Sequence, residues 1–185
     1  MNPLRTRKQS VLLVVDVQVG VMAVCWDAAR IIGNVVRAVE RARENGVPVI
    51  WVQHDSEELP LGSPQWQLVA ELQPLSEETR INKRFPSSFE ETDLAAHLAA
   101  LGADHIILAG AQTNWCIRAT AYAALDKGYN LTIVQDAHTT SAIDMGQGQM
   151  IEAASMVNDL NITMKWLTYP DRTTTTATAE ELAFV

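Results

Sequence analysis

The chain is short of the residues from which disulfide frameworks, metal centres and nucleic-acid surfaces are built. It has two cysteines, Cys25 and Cys116, in 185 residues. Two thiols so far apart make neither a disulfide framework nor a zinc knuckle, and a reduced, cytoplasmic protein is the expectation. Histidine occurs four times, at His54, His97, His105 and His138, too thin a set to suggest a metal centre. The 14 basic residues are outnumbered by 22 acidic ones, and the net charge of −8 argues against nucleic acid or an anionic membrane as partner. No apolar run approaches the roughly 20 residues of a membrane span. Met1 to Ser10 carries Arg5, Arg7 and Lys8 but no apolar segment long enough for a signal peptide. No internal repeat is visible.

What remains is a chain that is 48% apolar and 19% charged, the balance of a globular domain. Residues 1–185 read as one domain, with a core at about 10–167 and a loosely packed, Thr-rich tail at 171–185. Short apolar runs alternate with helical stretches. Val11 to Val15 is continuously apolar and reads as a strand covered on both faces. Asp27 is placed to cap a helix running to about Asn45, with Ile31, Ile32, Val35, Val36 and Val39 at helical spacing and Gly46 closing it. Further strands are expected at Val47–Gln53, Arg80–Lys83, His105–Ala109, Leu131–Gln135 and Ile162–Trp166. Helices are expected from a Thr92 cap to Leu101, at Asn114–Lys127 and at Gly146–Leu160. Residues 54–78, with Pro60, Gly62, Pro64 and Pro74, read as a functional loop holding one helical turn near Trp66–Leu72.

Strands alternating with helices predict an α/β fold, a three-layer α/β/α sandwich with a mainly parallel central sheet. Ligands of such sheets bind beyond the carboxyl ends of the strands. Asp16, Lys83 and Cys116 all fall at that edge, Cys116 in the first turn of a helix. Each alone has an ordinary explanation: a turn aspartate, a solvated lysine, a packed thiol. Together they form an acid, a cation and a nucleophile. The helix N-terminus and a nearby ammonium are expected to lower the thiol pKa, and Asp16 to exchange its proton.

Three segments carry a resemblance. They are Leu12–Gln18 (LVVDVQ after Leu12), Ile81–Phe89 (INKRFPSSF) and Leu108–Ala121 (LAGAQTNWCIRATA), followed by Gly128–Ala137. In order and spacing, over roughly residues 10 to 165, the chain resembles the isochorismatase-like cysteine hydrolases. That superfamily includes nicotinamidases, N-carbamoylsarcosine amidohydrolases, ureidoacrylate and biuret hydrolases, and isochorismatases. The resemblance implies that Cys116 attacks an amide carbonyl to form a thioester, that Asp16 is the general base and acid, and that Lys83 stabilises and orients the pair. It implies a cis Ala111–Gln112 peptide, with the Gln112 and Cys116 N–H groups as the oxyanion hole. It also implies a homo-oligomer, dimer to tetramer; the 54–78 loop and the Thr-rich tail are the segments expected at the subunit contact.

Departures narrow the reading. Trp51-Val52-Gln53-His54-Asp55 lacks the Asp-x-His metal pattern of nicotinamidases, so no metal and no cofactor are expected. A retained Cys116 favours a small amide, ureide or imide substrate. Gln18, Gln53, His54, Trp66 and Phe89 are candidates for the substrate pocket, with Trp26 beside them. Asp136 could brace the active-site loops, and Arg118 meets solvent or a neighbouring subunit. Three other readings stay open. One is vinyl-ether hydrolysis with Asp16 as acid, another a flavodoxin-like binding module, and the third a redox-sensing thiol.

Overall fold

The computed structural model describes residues 9–185; the basic start, with Arg5, Arg7 and Lys8, lies outside the described residues. Six consecutive buried residues form β1 (Ser10–Val15), the strand expected from its apolar run. A short helix, α1 (Val19–Met22), follows it and precedes α2 (Ala28–Glu44). The α2 helix buries Ile31, Val35, Ala38, Val39 and Ala42, one stripe at spacings of three and four. Asp27 precedes it in a left-handed conformation (φ 51°), and its carboxylate pairs with Arg30 instead of capping the helix. Then come β2 (Val49–His54), β3 (Thr79–Lys83) and α3 (Leu94–Ala100). The cap of α3 is Asp93, one residue beyond the expected Thr92, whose hydroxyl accepts from the Leu94 N–H. The chain continues through β4 (His105–Ala111), a π-helical turn at Thr113–Ile117, α4 (Arg118–Asp126) and β5 (Asn130–Thr139).

The sheet order is β3-β2-β1-β4-β5-β8, where β8 is Thr174–Ala177, and all neighbouring pairs run parallel. Alternate residues feed two cores. Leu12, Val14, Trp51, Ile107 and Ala109 pack on α2. Val11, Leu13, Val15, Ile50, Val52, Ile106 and Leu108 pack on α3, on α4 and on α5 (Ala153–Trp166). This is the expected three-layer α/β/α architecture. Among the described residues no helix is long and apolar enough to cross a membrane.

Four expectations fail. Residues 146–160 are not one helix. Strands β6 (Ile143–Gly146) and β7 (Gln149–Ile151) form an antiparallel hairpin turned by Gly146, Gln147 and Gly148, all at positive φ. Ile162–Trp166 is the end of α5, not a strand. Ala153, Met156, Val157, Leu160 and Met164 make a buried helical stripe, and that periodicity outweighs the strand preference of Ile162. The tail is not loose. Its Thr residues, β-branched and therefore good strand formers, supply the edge strand β8. Beyond it Ala179 and Leu182 enter the core, and the Val185 carbonyl accepts from the Ser10 N–H at 2.9 Å. Residues 66–72 form turns and no helix, tied down by a bridge between Gln18 and Leu68.

Candidate active site

The strand order reverses between β1 and β4, and a crevice opens at their carboxyl ends. Asp16 follows β1, His54 ends β2, Lys83 ends β3, and Cys116 lies in the π-helical turn after β4. Four adjacent strands thus deliver one group each. The Lys83 ammonium is the hub. It pairs with Asp16 Oδ2 at 2.7 Å and donates to Cys116 Sγ at 3.2 Å and to His54 Nδ1 at 3.2 Å. Both members of the ion pair are buried, with side-chain exposures of 0% for Lys83 and 2% for Asp16. Asp16 Oδ1 has no hydrogen-bond partner among the described residues. Ligating atoms of Asp16, His54 and Cys116 lie within 4.8 Å of one another, the spacing a metal ion would need. Lys83, bonded to all three, occupies that position with a cation of the chain's own.

Burial and the Asp16 charge push the Cys116 thiol up to about 12, against the opposing pull of Lys83. The sequence-based expectation of a depressed thiol pKa therefore fails. Desolvation and a neighbouring carboxylate outweigh the ammonium and the helix end, because both disfavour the thiolate directly. Burial also raises Asp16 above the usual carboxylate range, although Lys83 opposes it. Burial and then Lys83 lower His54. His54 is neutral at physiological pH, and since Nδ1 accepts from Lys83, its proton is on Nε2.

The Ala111–Gln112 peptide is cis, as the resemblance implies. Gln112 accepts the Trp115 and Ile117 N–H groups on its carbonyl at 3.1 Å, which starts the turn carrying Cys116. A second support went unnoticed in the sequence. Thr113 Oγ1 meets His138 Nδ1 at 2.9 Å, His138 Nε2 meets Asn161 Oδ1 at 2.9 Å, and Asn161 Nδ2 donates to the Gln135 carbonyl at 2.9 Å. The amide orientation of Asn161 makes His138 Nε2 a donor, so Nδ1 accepts from Thr113. Burial drives His138 down to about 4, and the ring stays neutral. The signal for it was the five-residue β5 extension beyond Val134. There the β4–β5 register jumps from Leu108↔Ile133 to Gly110↔His138, and no pattern of apolar spacing marks such a bulge.

A cleft of about 430 Å³ lies over this cluster, lined by Asp16, Cys116, His54, Gln112 and a ring of other side chains. The remaining pocket candidates do not line it. Gln18 donates to the His54 and Trp66 carbonyls (3.0 and 2.9 Å) and accepts the His54 N–H (2.8 Å), while Gln53 donates to the Trp66 carbonyl (2.9 Å). These buried amides brace the loop from behind. Trp66 contributes its carbonyl to them. Phe89 stacks on Tyr129 with centroids 6.0 Å apart, in the core on the α4 face. Trp26 lies under the Arg30 guanidinium. Asp136 accepts the Ala179 N–H, holding the tail and not a site loop, and Arg118 pairs with Asp159 on α5. The sequence missed the cleft's apolar wall, Val21, Val24, Leu59 and Trp115. Those residues come from α1 and the turn after it, the 54–78 loop and the π-helical turn, which apolar periodicity does not point inward.

A parallel α/β/α domain with a carboxylate, an ammonium and a thiol gathered at its switch point is the class that this fold and site define. More narrowly, the chain belongs to the isochorismatase family: the isochorismatase domain matches residues 10–164. It is 33% identical to a streptothricin hydrolase of Streptomyces noursei over 70% of this chain and 49% of that protein. It therefore spans about half the length of that relative. It is 32% identical to an Arabidopsis thaliana protein described as a probable inactive nicotinamidase, over 75% of this chain and 88% of that one. A crystal structure of a cysteine hydrolase from Pseudomonas syringae pv. phaseolicola superposes with a TM-score of 0.83 at 22% identity, covering 98% of this chain and 92% of that one.

Proposed function

We propose that this protein is a cysteine hydrolase that cleaves a carbon–nitrogen bond of a small amide, ureide or imide. The carrying observation is the Lys83 ammonium held between Asp16 and Cys116, with a carboxylate oxygen of Asp16 within 4.8 Å of the thiol sulfur and Asp16 Oδ1 unpartnered among the described residues. A thiol whose pKa is pushed up to about 12 attacks only as its proton leaves. Asp16, a stronger base for being buried, takes that proton as Sγ bonds to the carbonyl carbon. Negative charge passes to the carbonyl oxygen, where the N–H groups of Gln112 and Cys116 serve as the oxyanion hole of this reading. Asp16 returns the proton to the leaving nitrogen as the C–N bond breaks, leaving a thioester. Water then attacks, Asp16 takes its proton, and the same proton restores the thiol as the acid departs. Lys83 keeps Asp16 ionised between these transfers.

Ammonia release across a panel of small amides, ureides and imides tests this. Wild type should turn over at least one member, and Cys116→Ala should lose on the order of 10³-fold or more in kcat. Turnover that survives in Cys116→Ala would overturn the thioester route and move the chemistry to Asp16 as an acid. The same reading includes association into a dimer or tetramer, supported by Trp115 beside the cleft and Trp166 at the end of α5, 57% and 77% exposed. Sedimentation velocity should give at least twice the 20.4 kDa chain mass; a monomer at micromolar concentration would remove it.

A further inference from the structure

The charge lining the cleft narrows the substrate further, an inference that rests on the amide-hydrolase reading. An ammonium carries three N–H donors. Those of Lys83 are spent on Asp16, His54 and Cys116, and its side chain is 0% exposed. It has no donor left for a substrate carboxylate. Among the described residues no other lysine and no arginine lines the cleft. His54 is held neutral by burial and by Lys83, and offers one N–H, enough for a neutral acceptor.

The opposite sign is present. Glu58 lines the cleft next to Leu59 and Gln65. Its loop also carries Asp55 and Glu57, with no basic residue between His54 and Gln65. Arg84 is engaged with Asp55 at 2.9 Å and does not line the cleft. Val21, Val24, Leu59 and Trp115 line the same cleft as Glu58 and the thiol, so the body of a ligand there meets apolar surface.

We propose that the cleft selects amides with an apolar body and a positively charged far end, with Glu58 as the residue that reads that end, and that it rejects their carboxylate isosteres. The amide sits over Cys116, the body lies along Val24 and Trp115, and the cationic group reaches the acidic rim. An anion placed there meets the like charge of Glu58 and no cationic partner.

Benzamide and two para-substituted derivatives, 4-(aminomethyl)benzamide and 4-carbamoylbenzoate, test this. In wild type kcat/KM should fall from the aminomethyl compound to benzamide to the carboxylate, cation over anion on the order of ten-fold at low salt, the gap narrowing as ionic strength rises. Glu58→Gln should lower the value for the cation about two- to five-fold, a modest change because the residue is solvent-exposed, and should narrow the ratio of the cation to benzamide. Titration of the same three compounds into Cys116→Ala reads the charge preference without turnover. Binding in the expected order with no hydrolysis by wild type keeps the charge assignment and removes benzamides from the substrates of the amidase. Hydrolysis with the anion preferred, or a cation preference that Glu58→Gln does not move, overturns the charge assignment and keeps the amidase. Absence of binding by all three at millimolar concentration overturns it as well.

Discussion

Replacing Lys83 by Met is expected to abolish turnover and to destabilise the fold. The substitution keeps the volume and removes the charge that Asp16 needs in a buried setting. An unpaired buried carboxylate costs about 3–5 kcal/mol when its partner is deleted. Asp16 avoids part of that cost by taking a proton, since loss of Lys83 removes the main influence that lowers its pKa and leaves burial, which raises it. Two measurements follow. Activity at neutral pH should vanish, because a protonated Asp16 cannot accept the thiol proton, and any residual acid limb of kcat/KM should move to higher pH than in wild type. The stability deficit should shrink as pH falls. A folded-state pKa raised further above the unfolded value contributes stability present at low pH and lost as pH rises, so the variant approaches wild type under acid conditions. A deficit that grows on acidification would show that Asp16 is not the group left unpaired.

Gly110→Ala is expected to cost about 4 kcal/mol or to prevent folding. Gly110 has φ +126°, a region side chains rarely enter, and a Cβ there would lie 1.9 Å from the Val15 carbonyl oxygen. Conformational strain contributes about 1–3 kcal/mol and the clash about 1–3 more. Val15 immediately precedes Asp16, so any relief that pushes β1 away also displaces the carboxylate. A melting temperature lower by about 10 °C is the expected reading. Gly33→Ala is the control, since a Cβ at that point in α2 meets nothing within 4 Å. It should raise stability by about 0.5–1 kcal/mol. Equal effects at the two positions would refute the close approach of β1 and β4 at Gly110.

The parallel sheet was legible because its central strands are unbroken apolar runs between helices with clear stripes. Val11–Val15 and the α2 positions Ile31, Val35 and Val39 leave little choice. Asp16, Lys83 and Cys116 were legible because strand ends bring distant residues to one edge, and because their surrounding segments match three family blocks. Signals of other kinds were misread. The Thr-rich tail reads as polar, although β-branching suits it to the edge strand β8. Gly146 and Gly148 inside an otherwise acceptable helical window mark a hairpin. Gln18 and Gln53 read as binding residues, and their amides instead satisfy the backbone of the loop behind the cleft. Whether a polar side chain near a strand end faces ligand or backbone depends on where the following loop passes, and local sequence does not encode that. The His138 support was hidden for the same reason, since Thr113, His138 and Asn161 meet only across three elements.

Of the four strands that deliver the site, β3 stands at the edge of the sheet. It pairs with β2 alone, over five residues from Thr79 to Lys83. Edge elements open by local fluctuation at a fraction of the global unfolding free energy. The hub cation therefore hangs on the part of the sheet with the fewest neighbours, while the carboxylate and the thiol are held by its interior. Fraying of those five residues would withdraw Lys83 and, of the buried core, only Ile81. The lifetime of the assembled site is then a property of the sheet's margin and not of its core, and a protein that still looks folded by its helices can already have lost the group that keeps its base charged.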